Sequence, residues 1–515
     1  MKNLSRYSLL KVTTIAALAV FAVGSCKNAG DATLTSAAGT ETTAIQPTSQ
    51  APIVLADGIR ASYADIVERV APAVVNIEAR KRAAANDGDE DNPIMNDPRF
   101  REMFPNVPRG NGGGQPQQPQ LQRGIGSGVI VNSDGTILTN YHVVEGATEI
   151  TIELTDKRTF KAKVIGTDEA TDLAVLKVEA TNLPFLNLGD SDKVRVGDVA
   201  LAIGDPLGIG QTVTLGIISA KSRRTGIGTG SFEDFLQTDA PINRGNSGGA
   251  LINVTGELIG INSQILSSGN SGGSIGIGFA IPSNMAKGVM EQLVKNGKVV
   301  RGQLGVNIQD VTSDIAASVG LNEARGAIVS NVVAGSAADK AGVKRGDVIT
   351  QINGERVEDG NALRNRVAGT QPGTEVTLTV LRDGREQQIK AKLNELAPDQ
   401  ARNNQQTPQQ EAAPENNAEN SGKLGLSLEP LTPELGKRLQ LEGTDKGMVV
   451  TEVDPNGAGA DAGIRAQDVI LEINRQPVGT FEEAQAALAK SGDKSILLLV
   501  GRRGQTVYLT VQPRK

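Results

Sequence analysis

Residues 243–251 read NRGNSGGAL, and the way Ser247 is used decides which fold the chain can have. A serine framed by glycines satisfies the GxSxG pattern of a nucleophile elbow, in which a strained strand-to-helix turn lifts the hydroxyl above a parallel sheet. It equally satisfies a tight turn whose backbone amides converge on one point, as acyl transfer requires. The two differ in where the base lies along the chain. An elbow takes its partners in the order Ser, Asp, His, so its histidine follows the serine. The sequence has one histidine, His142, and it precedes Ser247 by 105 residues, which excludes the elbow.

His142 lies in TNYHVVEGA, residues 139–147, and Asp172 in EATDLAVLKV, residues 169–178. A serine hydroxyl is a weak nucleophile near neutral pH and needs a base within hydrogen-bond reach, with a third group to hold that base in one tautomer. Histidine suits the task because its unperturbed pKa of about 6.5 lets it take and return a proton near pH 7. Asp172 would orient the imidazole and stabilise its cation. The amides of Gly245 and Ser247 would face the oxyanion, while Gly248 and Gly249 permit close approach behind the nucleophile. The order Asp, His, Ser would need an acid before His142, and after residue 122 only Asp134 is available, in a hairpin turn. The order His, Asp, Ser on a β-rich chain is that of chymotrypsin. A zinc hydrolase is disfavoured, because one histidine and one cysteine provide no ligand cluster, and no cofactor or metal is expected.

The rest of the sequence agrees with a β-rich reading. With 515 residues, about three domains are expected. Sixty glycines, 22 prolines, 3% aromatics and no tryptophan favour short strands and turns. GVIVNSDGTILTN reads as a hairpin around Ser133-Asp134-Gly135, and EITIELTD alternates with Ile150, Ile152 and Leu154 on one face. DLAVLKVE, DVALAIG, TVTLGIISA, GALINVTGELIGINSQIL and GIGFAI supply further strands without βαβ alternation, so antiparallel β-barrels are expected. ADIVERVAPAVVNIEAR reads as a helix and a strand, and MAKGVMEQLVKNG, residues 285–297, as a helix ended by Gly297. Residues 84–122, with NDGDEDNP, RGNGGG and QPQQPQLQ, read as a disordered loop inserted in this domain.

An internal repeat follows. Residues 326–357 align without gaps to 447–478, with 12 of 32 positions identical, and NNQQTPQQEAAPENNAENSG separates the copies as a polar linker.

At the N-terminus, Lys2, Arg6 and Lys11 precede an apolar run from Val12 to Val23 that is short for a bilayer span and reads as a secretory signal. Its end, Val23-Gly24-Ser25-Cys26, resembles a bacterial lipobox, so Cys26 is expected to carry a lipid anchor; an ordinary signal cut near Gly24 is the alternative. As the only cysteine, Cys26 cannot form an intramolecular disulfide. Removing residues 1–25 leaves 49 basic against 58 acidic side chains, a net charge of −9, which speaks against nucleic acid and anionic lipid surfaces as partners.

The stretches GSGVIV, TNYHVV, TDLAVLKV, LAIGDPLG, QTDAPINRGNSGGALIN and GFAIPSNM, followed by the repeat, closely resemble the HtrA (Deg) family of bacterial envelope serine proteases over most of residues 59–515. The resemblance implies a mostly β fold, a chymotrypsin-like double β-barrel protease domain followed by two α+β PDZ domains. The expected divisions are signal 1–26, flexible tether 27–58, protease 59–298, PDZ domains 299–394 and 422–515, and linker 395–421. The family's triad falls on His142, Asp172 and Ser247. The resemblance further implies a periplasmic, ATP-independent protease of unfolded proteins, assembled as a homotrimer or a larger cage. RGQLGVNI, residues 301–308, resembles the family's carboxylate-binding loop, with the amides of Leu304, Gly305 and Val306 holding a peptide C-terminus. In the second copy, KLGLSLEP takes this place, and Gln467 stands where the first has Gly346, which makes peptide binding there less secure. Asp205 and Leu207 stand where relatives commonly carry Asn and Phe. A chaperone or peptide-sensing scaffold with an inactive triad is the alternative of a different class.

Overall fold

The computed structural model describes residues 62–82, 121–206, 210–226, 232–243, 245–265, 274–397, 424–441, 446–491 and 495–513. The expected signal with Cys26, the tether, residues 84–120 of the insertion and most of the linker lie outside the described residues. Leu121 and Gln122, expected to close the inserted loop, instead pair with Arg82 and Lys81 and begin a strand. Glu395, expected to open the linker, pairs with Gly302.

Twelve strands form two closed barrels. The first is built from β1 (Val74–Arg82), β2 (Leu121–Asn132), β3 (Thr136–Thr139), β4 (Glu149–Glu153), β5 (Thr159–Asp168) and β6 (Leu173–Val178), joined in the order β1-β2-β3-β6-β5-β4. The second contains β7 (Val199–Gly204), β8 (Thr212–Arg223), β9 (Phe235–Thr238), β10 (Ala250–Ile252), β11 (Leu258–Ile265) and β12 (Gly278–Pro282), in the order β10-β11-β12-β9-β8-β7. All pairs are antiparallel, and closure removes the free edges on which open sheets aggregate.

The period-2 pattern divides each central strand between two cores. In β6, Ala174, Leu176 and Val178 fill the first barrel, whereas Leu173 and Val175 point outward into a core shared with the second. The second barrel mirrors this arrangement. Ala200, Ala202, Leu251 and Ala280 face its interior, and Leu201, Ile203, Ala250, Ile252 and Ile281 face the shared core. This explains why LAVLKV and ALI read as continuous apolar runs rather than alternating ones. The helix Ser283–Asn296 buries Ala286, Val289 and Leu293 in the same shared core, and Gly297, at φ 71, ends it in the left-handed cap that glycine favours.

The two repeat copies form separate antiparallel sheets. The first runs in the order Val306–Asp310, Ala327–Val332, Val348–Ile352, Glu375–Arg382, Arg385–Lys392; the second Leu426–Pro430, Met448–Val453, Val469–Ile473, Ile496–Arg502, Gln505–Val511. Both keep a buried ion pair at matching places, Asp347 with Arg382 at 2.7 Å and Asp468 with Arg502 at 2.6 Å. Each module has its own core, and a further core joins them: Ile328, Val348 and Leu381 of the first pack with Val469, Leu499 and Tyr508 of the second. Gln309 fixes the contact by bonding both the backbone N–H and the carbonyl of Tyr508, each at 2.9 Å.

Gly346, at φ 82, lies in this contact, where an added Cβ would sit 3.4 Å from the Tyr508 hydroxyl. Gln467 adopts the same left-handed backbone at φ 71 but is exposed. The two equivalent turns therefore share a backbone conformation and differ in surroundings, since only the first faces the other module.

Candidate active site

His142 sits in the single helical turn Tyr141–Val144 between β3 and β4. So short a helix cannot hold itself in water, and it is held from outside. Asp172 supplies the support. Its carbonyl accepts from the Tyr141 amide at 3.1 Å and the Asn140 side chain at 3.0 Å, and its Oδ1 accepts from the His142 amide at 3.0 Å. The same carboxylate meets the ring, with His142 Nδ1 2.8 Å from Asp172 Oδ2. An ionised carboxylate can only accept, so Nδ1 carries the proton and Nε2 is left as the basic nitrogen. Asp172 achieves this from a left-handed backbone at φ 56, between the 3-10 turn Glu169–Thr171 and β6, a conformation that Asp tolerates better than most residues.

Ser247 lies across the cleft, in the loop before β10. Asn246 N–H donates to the Asn243 carbonyl at 3.0 Å, and Gly245 has φ 97. That positive φ is one that glycine adopts without strain. Among the described residues, neither the Gly245 nor the Ser247 amide donates a hydrogen bond, so both remain available to an anion. The Ser247 hydroxyl donates to the Ser263 carbonyl at 3.0 Å, and among the described residues no hydrogen bond joins it to His142. Ser263 contacts both halves, because its own hydroxyl donates to Asp172 Oδ2 at 2.9 Å.

All three expected residues thus meet in one cleft, the histidine and aspartate from the first barrel and the serine from the second. The expected carboxylate loop also has a suitable form: Gly305 has φ 79, Leu304 is buried in the module core, and among the described residues neither amide donates a hydrogen bond. Val306 opens the sheet-edge strand Val306–Asp310.

Comparison with known proteins agrees with this geometry. A trypsin-like peptidase domain model matches residues 126–261, and PDZ domain models match 302–393 and 449–502. A probable periplasmic serine endoprotease, DegP-like, from Chlamydia muridarum is 40% identical over 459 residues, covering 87% of this chain and 88% of the relative. A probable periplasmic serine protease, do/HhoA-like, from Haemophilus influenzae is 39% identical over 465 residues, covering 88% of this chain and 92% of the relative. The chain belongs to the HtrA/DegP family of serine proteases. It is a serine endopeptidase with a trypsin-like domain and two PDZ domains. The solved structure of the HtrA-type protease AlgW with a tripeptide is 42% identical to this HtrA/DegP chain and covers 65% of it and 98% of AlgW, with a TM-score of 0.51.

Sequence reasoning passed over Ser127, Ser263, Asp168 and Arg301. Asp168 and Thr171 share a buried hydrogen bond, and Asp168 receives Arg301 Nη1 at 3.0 Å, from the segment that enters the first PDZ module. Arg301 also stacks 4.6 Å over Phe232. Beside it, Asn361 and Asn365, one helical turn apart in Gly360–Gly369, both donate to the Glu233 carbonyl at 2.8 Å. The spacing of two asparagines at i and i+4 was a visible signal of a shared face; the identity of its partner was not.

Beside Asp172 lies a cavity lined by Thr171, Asp172, Phe232, Asp234, Ser263 and Gln264. Burial pushes the Asp234 carboxyl up to about 6, against a bond from Ser222; Asp192 and Asp359 raise it further and Lys221 opposes them. The native state then holds this proton at pH values where the unfolded chain has lost it, so stability falls as pH rises from about 4 to about 6 and the full cost stands above 6. Asp234→Asn is expected to stabilise the protein by about 1–3 kcal/mol at pH 7.5 and by little at pH 3.5. Thermal denaturation at the two pH values checks this, and an equal gain at both would show that the charge is not the cause.

Proposed function

We propose that this endopeptidase degrades unfolded or damaged proteins of the bacterial envelope without ATP, with Ser247 as nucleophile, His142 as general base, Asp172 as its orienting acid and the Gly245 and Ser247 amides as the oxyanion site. The observation that carries the reading is the Asp172 carboxylate, which fixes the His142 tautomer and accepts from the hydroxyl of Ser263, whose carbonyl holds Ser247. His142 Nε2 takes the hydroxyl proton as Ser247 attacks the scissile carbonyl, and returns it to the leaving amine. Because no other histidine exists, no side chain can substitute as an imidazole base. Casein cleavage is expected to fall by at least about 10⁴-fold in both Ser247→Ala and His142→Ala. Equal turnover by wild type and Ser247→Ala would refute the assignment and favour a second reading, a chaperone or peptide-sensing scaffold with its triad at rest. The bond from Ser247 to the Ser263 carbonyl is what supports that second reading.

The first PDZ module is read as the docking site for peptide C-termini, with the amides around Leu304, Gly305 and Val306 receiving the carboxylate while the peptide adds to the edge strand Val306–Asp310. AlgW, which carries a tripeptide in its solved structure, lends support from a relative. An apolar peptide with a free C-terminus should bind at least tenfold more tightly than its C-terminal amide by calorimetry; equal affinities would remove the carboxylate from the site.

The relatives named periplasmic support that compartment for this chain. Anchoring through a lipidated Cys26 follows from the lipobox-like VGSC. Among the described residues no helix is long and apolar enough to cross a membrane. Mass spectrometry of the mature N-terminal peptide should show a lipid-modified cysteine, and a free thiol there would end the idea. Assembly as a homotrimer or larger cage belongs to the same reading and rests on the resemblance to the family.

A further inference from the structure

The nucleophile turn is tied to the first barrel at Ser127. Ser127, on β2 of the first barrel, is fully buried. Its N–H donates to the Ser247 carbonyl at 2.8 Å, and its hydroxyl donates to the Gly245 carbonyl at 2.6 Å. The same hydroxyl accepts from the Asp205 amide at 2.8 Å, in the loop that leaves β7 of the second barrel. Its own carbonyl accepts from the Thr139 hydroxyl at 2.7 Å, three residues before His142. One serine therefore touches the carbonyls of both residues whose amides face the oxyanion, and spans the two barrels.

Gly245 is the weak point of that arrangement. Glycine populates positive and negative φ about equally, so its φ of 97 is not set by its own backbone and has to be imposed by bonds to the turn. Both bonds fall on the peptide group that follows it: the Asn246 N–H donates to the Asn243 carbonyl, and the Gly245 carbonyl accepts from the Ser127 hydroxyl. Gly248 shows how closely the two segments approach. A Cβ there would lie 2.1 Å from the Ser127 carbonyl and 2.3 Å from the Thr139 hydroxyl, so only glycine lets the loop reach Ser127.

We propose that the Ser127 hydroxyl is a positioning residue of the protease, which fixes the Gly245 carbonyl and so aims the Gly245 and Ser247 amides at the developing oxyanion. The proposal rests on the assignment of Ser247 and of those amides given above. Ser127 does not meet substrate; it acts through the turn. Removing its hydroxyl leaves the buried Gly245 carbonyl and Asp205 amide without partners and frees the turn to populate conformations in which the amides point elsewhere. Substrate binding in the ground state, which does not use the oxyanion donors fully, is spared, and the loss falls on the tetrahedral state.

The test compares wild type, Ser127→Ala and Ser127→Cys on a quenched-fluorescence peptide, with active sites counted by a fluorophosphonate, and measures inhibition by a peptide boronic acid. Ser247 Oγ adds to boron as its proton passes to His142, and the resulting tetrahedral boronate places an oxygen where the oxyanion forms. For Ser127→Ala, kcat per titrated site is expected to fall about 10–100-fold, below the 10²–10³ of deleting a donor outright, with KM within about twofold. Boronate affinity should fall by the same factor as kcat/KM. Ser127→Cys, of similar size but a weak donor, should lie between the two. A kcat within twofold of wild type, or a loss of kcat with boronate affinity unchanged, would overturn the proposal. If Ser127→Ala does not fold, the same criteria apply to Ser127→Cys, for which wild-type kcat and boronate affinity would refute it. Ser247→Ala separates the two levels: should it retain turnover, the triad assignment fails, whereas normal kcat in Ser127→Ala beside an inactive Ser247→Ala removes this inference alone.

Discussion

The site depends on the apolar core shared between the two barrels. Residues such as Val129, Leu138 and Leu173 on one side and Ile203, Ile252 and Ile281 on the other are all nearly inaccessible to water. Burying one such side chain contributes roughly 1.5–3 kcal/mol, whereas a single hydrogen bond contributes about 1 kcal/mol net. The distance between the His142–Asp172 pair and Ser247 is therefore set by how the barrels pack, and the polar contacts across the cleft refine the angle at which they meet. The same reasoning explains the division of labour along β6: the residues that face outward hold the second barrel in place, and Asp172 immediately precedes them.

The polar contacts carry selectivity that the core cannot. Arg301 and Asp168 form an ion pair whose side chains are 10% and 8% exposed, and such a pair adds little net stability once desolvation is counted. It does fix one geometry, because separating the partners would leave a charge buried. The Asn361 and Asn365 amides do the same at the Glu233 carbonyl, and Glu233 in turn accepts the Thr225 and Gly226 amides through its carboxylate. A displacement of the helix Gly360–Gly369 must either break two amide bonds or carry Glu233 with it. Glu233 adjoins Phe232, whose amide bonds the Ala170 carbonyl two residues before Asp172. The first PDZ module and Asp172 are thus joined by a short covalent and hydrogen-bonded path.

The candidate triad stands out in the sequence because its chemistry is scarce there. A single histidine removes every competing base, and chain order then separates the possible folds. The strands were legible from periodicity and turn residues, and the repeat from self-similarity. Ser127 and Ser263 were not, because serine is common and their contacts are set by the approach of segments distant in the chain, 118 residues apart for Ser127 and Gly245 and 91 for Ser263 and Asp172, and by carbonyls that every residue type possesses. Asp168 and Asp172 illustrate the limit. Both precede an apolar strand by a few residues, and only the structure shows one turned toward His142 and the other toward Arg301. The edges of the inserted loop failed for a local reason: Leu121 and Gln122 look like the end of a glutamine-rich stretch, yet pairing with β1 extends the strand beyond what composition supports.

The two PDZ copies share a turn but not its surroundings. Gly346 and Gln467 occupy equivalent turns, and each amide bonds the carbonyl of the equivalent strand residue, Val329 or Val450, at 2.8 Å. Both need a left-handed backbone, which glycine adopts freely and glutamine at a cost of about 1–2 kcal/mol. The difference lies in what each turn faces. At 346 the neighbours are the Tyr508 hydroxyl and Arg475 of the other module, whereas Gln467 is exposed. The buried Asp–Arg pairs behind both turns, Asp347 with Arg382 and Asp468 with Arg502, are the same because each serves its own module. The two turns thus share their backbone geometry and their internal bonds, and only the first faces the other module.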